Sequence, residues 1–151
     1  MAIARGFAAT AMFAGLALGL AAPTSAAPAM SGHYIETGTD PSTGQPFTSG
    51  GQPVTNDWYF TPCGDGCASA AVTPGGQALG QAGLVNGQWT LDTIDEVSCH
   101  DGSSVPSALS NHRTWDPDTL AGTLQETYKV PACGRPAEYS SNLNIQLRQA
   151  A

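Results

Sequence analysis

Beyond residue 27 the large apolar side chains recur at every second position rather than every third and fourth. Gly or Pro also interrupts nearly every window long enough for a helix. That pattern predicts short β-strands. The run Gly32-His33-Tyr34-Ile35-Glu36-Thr37 mixes aromatic and β-branched residues, and Asp57-Trp58-Tyr59-Phe60-Thr61 is strongly strand-prone until Pro62 and Gly64 stop it. Residues 68–72 can return antiparallel across the Gly64-Asp65-Gly66 turn. In residues 84–91, Asn86-Gly87 is a hairpin signal, because both central residues of a type I′ turn need positive φ. Trp89 and Leu91 then share one strand face and Gln88 and Thr90 the other. Residues 95–99 read as a further return strand, and residues 111–115 lead into the turn Asp116-Pro117-Asp118. Residues 119–130 set Leu120, Gly122, Leu124, Glu126 and Tyr128 against a polar face. Residues 142–147 close the chain with Leu143, Ile145 and Leu147 alternating.

The first 26 residues read differently. Arg5 gives a short basic start, residues 6–22 are apolar or small without a charge, and Pro23-Thr24-Ser25-Ala26 places small residues before a cleavage point. This is the pattern of a secretory signal cut after Ala26. The apolar stretch sits at the lower end of spanning length and no basic stop-transfer cluster follows, so export is expected rather than stable membrane insertion. The domain division is therefore a signal, 1–26, and one secreted β domain, 27–151, in the extracellular space or cell envelope. Within it residues 38–54, dominated by Gly, Ser, Thr, Pro, Gln and Asp, read as a flexible loop.

Charge and composition narrow the picture. The chain carries 12 acidic and 5 basic residues, a formal charge of −7, and only Arg5 among the bases lies in the signal. Such a domain is no nonspecific nucleic-acid binder. Leu, Ile, Val and Phe make up 19 of the 125 residues after Ala26, about 15%, which builds only a lean core. Three Trp, four Tyr and four Cys must supply the rest.

Cys63, Cys67, Cys99 and Cys133 form an even set in an exported chain, where thiols are oxidised, so two disulfides are expected. Three pairings are possible. The Gly-Asp-Gly turn between the first two favours Cys63 with Cys67 and Cys99 with Cys133. The paired spacing of structural zinc is missing around Cys99 and Cys133. Neither a helix start nor a basic neighbour stands by Cys63 or Cys67 to stabilise a thiolate.

Residues 58–67 (Trp-Tyr-Phe-Thr-Pro-Cys-Gly-Asp-Gly-Cys), 87–89 (Gly-Gln-Trp), 99–102 (Cys-His-Asp-Gly) and 115–123 (Trp-Asp-Pro-Asp-Thr-Leu-Ala-Gly-Thr) occur in that order behind a signal. This arrangement resembles small exported proteins of mycobacteria and related actinobacteria, over roughly residues 31–147. The resemblance brings no assigned chemistry. Gly32-His33-Tyr34 is similar to the Gly-x-aromatic opening strand of calycin-type barrels, which implies a β-meander.

No constellation announces catalysis. A nucleophile elbow of the Gly-x-Ser-x-Gly type does not occur, and His33, His100 and His112 have no marked serine partner. The carboxylate pairs Asp95-Glu96 and Asp116 with Asp118 lack a defined separation across a cleft, and Asp116-Pro117-Asp118-Thr119 is explained by turn chemistry. The expected fold is all-β, an antiparallel meander closing into a small calycin-like barrel or folding as a two-sheet sandwich. The expected function is non-enzymatic: binding of a small apolar ligand or an envelope component, without cofactor or metal. Tyr34, Trp58, Trp89, Leu91 and Trp115 are the candidate ligand-binding residues. A surface interaction or structural module is the alternative and a hydrolase the third reading. A cavity of a few hundred cubic ångströms lined by those aromatics would favour the ligand.

Overall fold

The computed structural model describes residues 28–49 and 51–151; the signal read in residues 1–26 lies outside the described residues. All regular structure among the described residues is β: β1 (Gly32–Thr39), β2 (Thr48–Ser49), β3 (Gln52–Pro53), β4 (Thr55–Gly64), β5 (Cys67–Ala71), β6 (Gly80–Val85), β7 (Gln88–Ser98), β8 (Ser104–Trp115), β9 (Ala121–Tyr128) and β10 (Ser140–Gln149). Eight of these close a barrel in the order β1-β10-β9-β8-β7-β6-β5-β4, with β4 bonded back to β1, and β2 and β3 form a separate small hairpin. All neighbouring pairs are antiparallel. The chain is therefore an up-and-down meander, a barrel and not a sandwich, and closure removes the free edges that would otherwise invite pairing with other chains.

Local chemistry sets the turns. Asn86 (φ 51°) and Gly87 (φ 80°) both adopt the left-handed conformation that the β6–β7 hairpin requires. Asp116 Oδ1 accepts the N–H groups of Thr119 (2.8 Å) and Asp118 (2.9 Å), and these bonds hold its carboxyl below the usual carboxylate range. The disulfides join Cys63 to Cys67 and Cys99 to Cys133, as the spacing favoured. Residues 95–99 are not a separate return strand. Residues 95–98 extend β7 through an irregularity between Asp95 and Val97, and the chain reverses only at residues 99–103. Of the stretch expected as a loop, Gly38 and Thr39 complete β1. The rest is tied back, with Phe47 N–H donating to Gly38 O and Val54 N–H to Phe47 O.

The register sorts the connections onto two ends. One end carries the tight turns β4–β5, β6–β7 and β8–β9, and is filled by Met30, with Leu120 packed against the core. The other carries the longer excursions β1–β4, β5–β6, β7–β8 and β9–β10, and Cys99–Cys133 ties the last two together.

The core occupies the tight-turn half. Trp58, Phe60, Trp89 and Trp115 point inward with Tyr34, Leu91, Leu124, Ile145 and Leu147, while Ala68, Ala70 and Ala82 face them from β5 and β6. Trp89 and Trp115 stack with centroids 6.4 Å apart, and Phe60 tilts against Trp115 at 6.0 Å. Indoles bury roughly 150–250 Å² each, so three of them opposite small alanines fill a barrel that the aliphatics alone could not. The outer face carries charge: His33 pairs with Asp57 and His112 with Asp92, each at 2.6 Å. A membrane barrel would wear an apolar band there. Among the described residues no helix is long and apolar enough to cross a membrane.

Candidate functional site

Four inward-facing rows change character on the way from the tight-turn end to the open end. Because inward positions recur every two residues, β1 presents Tyr34 and then Glu36, and β4 presents Phe60, Trp58 and then Asn56. β7 presents Trp89, Leu91, Thr93 and Asp95, while β8 presents Trp115, Arg113, Asn111 and Leu109. Antiparallel pairing places Glu36 beside Asn56, Thr93 beside Asn111, and Asn111 beside Glu126 of β9. The barrel interior therefore holds an aromatic half and, above it, a polar layer.

The polar layer is hydrogen-bonded inside the barrel. Arg113 Nε donates to Glu36 Oε2 at 3.1 Å, with the two side chains only 6% and 2% exposed. Arg113 Nη1 donates to Thr93 Oγ1, and Asn56 Nδ2 donates to the second Glu36 oxygen at 2.8 Å. The guanidinium lies over the Trp58 ring, 4.8 Å from its centroid. Asp95 accepts from Thr93 and from Asn111 Nδ2, both on Oδ2, and Glu126 Oε2 accepts from Ser141 Oγ.

Above this floor lies a cavity of about 250 Å³. Asn56, Asp95, Asn111, Glu126 and the Glu36–Arg113 pair supply its polar surface. Val54, Leu109, Leu124, Leu143 and Ile145 give apolar walls, and Phe47 and Glu96 stand at the rim. Phe47 lies over Gly38, where a Cβ would meet the Phe47 Cβ at 3.8 Å and Leu143 Cδ1 at 3.5 Å, both ordinary contact distances. A second hollow of about 280 Å³ opens through the side of the barrel, lined by Trp58, Val72, Leu79, Asp57 and the shared residues Asn56, Asp95 and Arg113. Its cause is strand length: β5 and β6 have five and six residues beside eleven in β7, so the wall is low between β4 and β7.

The five aromatic and aliphatic candidates gather in one place, and it is not the cavity. Tyr34, Trp58, Trp89, Leu91 and Trp115 are all buried in the core cluster beneath the polar layer. Of the five, Trp58 lines the side hollow, which it shares with Arg113. None of the residues that line the open-end cavity is among the ligand-binding candidates of the sequence, where Asp95-Glu96 enters only as a glycosidic pair. The signal was present: Glu36, Asn56, Thr93 and Arg113 lie two or four positions from an inward-facing aromatic on the same strand. Extending each alternation past its last apolar member would have placed them inside. His33 and His112 sit on the outer face, paired with Asp57 and Asp92 and away from the polar layer. No family model, curated protein or solved structure matches this chain.

Proposed function

We propose that the domain is a small-molecule-binding barrel that works outside the cytoplasm, with its ligand seated in the open-end cavity against the Glu36–Arg113–Asn111 layer. The observation that carries this reading is the buried, hydrogen-bonded ion pair at the floor of a hollow with apolar walls. A buried ion pair contributes little to stability compared with apolar packing of the same volume, so a barrel selected for stability alone gains nothing by keeping one. A few placed polar groups under apolar walls are instead the usual construction of a ligand site. At about 30 Å³ of liquid volume per water, the hollow corresponds to about eight waters and suits a ligand smaller than a drug or a lipid chain. An amphiphilic small molecule is accordingly a better fit than the purely apolar ligand suggested by the tryptophans. Export is supported by the residues 1–26 pattern and by both disulfides.

The test is a titration of the oxidised, isotopically labelled domain with small aromatic probes of differing charge, followed by amide NMR. Binding should shift the amides of Asn56, Leu109, Asn111 and Leu143 and disappear in Leu143→Trp, which fills the hollow. No shift at these amides with any probe at millimolar concentration would overturn the reading and leave a surface interaction module in its place.

A further inference from the structure

We infer that the cavity selects a ligand bearing a protonated amine, with the ammonium group seated between Asn111, Asp95 and Glu126; the inference rests on the cavity being a ligand site at all. Asn111 is 97% buried, being 3% exposed, and lines the cavity, yet among the described residues its Oδ1 has no hydrogen-bond partner. Its orientation is fixed by chemistry. The amide nitrogen must face Asp95, since the reverse would set two acceptors together, so the orphan atom is an acceptor. A buried acceptor left unpaired is costly, and the group that relieves it is a donor.

The neighbouring groups ask for the same thing. The hydrogen bonds that Asp95 accepts from Thr93 and Asn111 both fall on Oδ2, and the bond from Ser141 to Glu126 falls on Oε2. Each carboxylate keeps a second oxygen. Of the layer's donors, Arg113 Nε and Nη1 and Asn56 Nδ2 bond to Glu36 and Thr93 inside the layer. Four carboxylates, Glu36, Asp95, Glu96 and Glu126, line the cavity against one guanidinium. An anion would meet repulsion there, whereas an ammonium offers the three donors that Asn111, Asp95 and Glu126 can accept. Among the described residues no three His, Cys, Asp or Glu side chains converge as a metal site, which favours an organic cation over a bare ion. The apolar walls at Leu109, Leu143 and Val54 fit a short hydrocarbon or aromatic body attached to the amine.

Three probes of near-equal size decide it: 2-phenylethylamine, 2-phenylethanol and phenylacetate, titrated into the oxidised domain with dissociation constants taken from the cavity amides. The amine should bind about tenfold or more tighter than the alcohol, the advantage of a charge-assisted over a neutral hydrogen bond, and phenylacetate most weakly. Asp95→Asn should remove most of that advantage while leaving alcohol binding in place. Asp118→Asn, an equal charge change on an exposed turn at the opposite end, should leave the advantage intact. Amine and alcohol binding within twofold of each other, or phenylacetate binding tightest, would overturn the amine assignment and keep the ligand site. Failure of all three to bind would overturn both. The wild-type ranking decides even where Asp95→Asn does not fold.

Discussion

The guanidinium of Arg113 lies over the indole of Trp58, 4.8 Å from the ring centroid, at the boundary between the barrel's two halves. Below it the interior is aromatic; above it the inward rows of β1, β4, β7 and β8 turn polar. The contact explains how an arginine sits 5% exposed without collapse of the core. Its face meets a π-system, and two of its N–H groups meet Glu36 and Thr93.

That arrangement predicts a steep and asymmetric cost. Arg113→Met leaves Glu36 buried with only Asn56 as partner and should destabilise the domain by about 3–5 kcal/mol, as breaking a buried pair does. Combining it with Glu36→Leu removes the stranded charge, and most of the loss should return. Urea denaturation of the two single variants and the double variant measures this. Additive losses would show that the pair is not coupled.

The alternation that predicted the strands also describes the interior, and it was legible from Trp89 and Leu91 or from Leu143, Ile145 and Leu147. The hairpin at Asn86-Gly87 and the disulfide pairing were legible for the same reason: short-range chemistry fixes them. The cavity was not, because it is made by closure. Glu36 and Arg113 are 77 positions apart and meet only when closure sets β1 and β4 across the barrel from β7 and β8. Taken singly, a Glu in a strand beside Thr37 reads as solvent-facing. Residues 95–99 read as a separate return strand, whereas Asp95 continues β7 and faces the interior polar layer.

Gly122 should tolerate no side chain. It pairs with Trp115 at the start of β9, and a Cβ there would overlap the Thr114 carbonyl and come within 2.7 Å of Trp115 Cα. The obstacle is backbone, which cannot swing aside. Gly122→Ala should therefore cost at least the roughly 1–3 kcal/mol typical of overpacking and lower Tm by several degrees. Gly83→Ala, where an added Cβ meets nothing within 4 Å, is the control and should leave Tm nearly unchanged.

The two disulfides should differ in weight. On the chain-entropy account, closing the Cys99–Cys133 loop stabilises by about 3.8 kcal/mol and closing the Cys63–Cys67 loop by about 2 kcal/mol. With so few aliphatics in the core, the longer staple is a large share of what holds the open end. Paired Cys→Ala variants, followed by denaturation, should rank in that order. Equal losses would point to native-state packing at the cysteines rather than loop entropy.

Acid should weaken the barrel first through its turns. Asp40 is held below the usual carboxylate range by the Ser42 hydroxyl and then by the Ser42 and Thr43 N–H groups; Asp101 by the Ser103 hydroxyl and N–H; Asp116 by the Thr119 and Asp118 N–H groups. A carboxyl that is more acidic in the folded than in the unfolded chain stabilises above its unfolded value of about 3.8, and loses that contribution as pH falls through its folded value. The unfolded chain binds more protons in that window, so stability must rise with pH across it. Replacing all three by Asn keeps an acceptor in each turn but removes the titration. Denaturation between pH 6 and pH 2.5 should then show the wild type losing ground relative to the triple variant below about pH 3.8 and holding a constant difference above it. Parallel curves through that window would mean that the turn bonds persist equally well to the protonated acids.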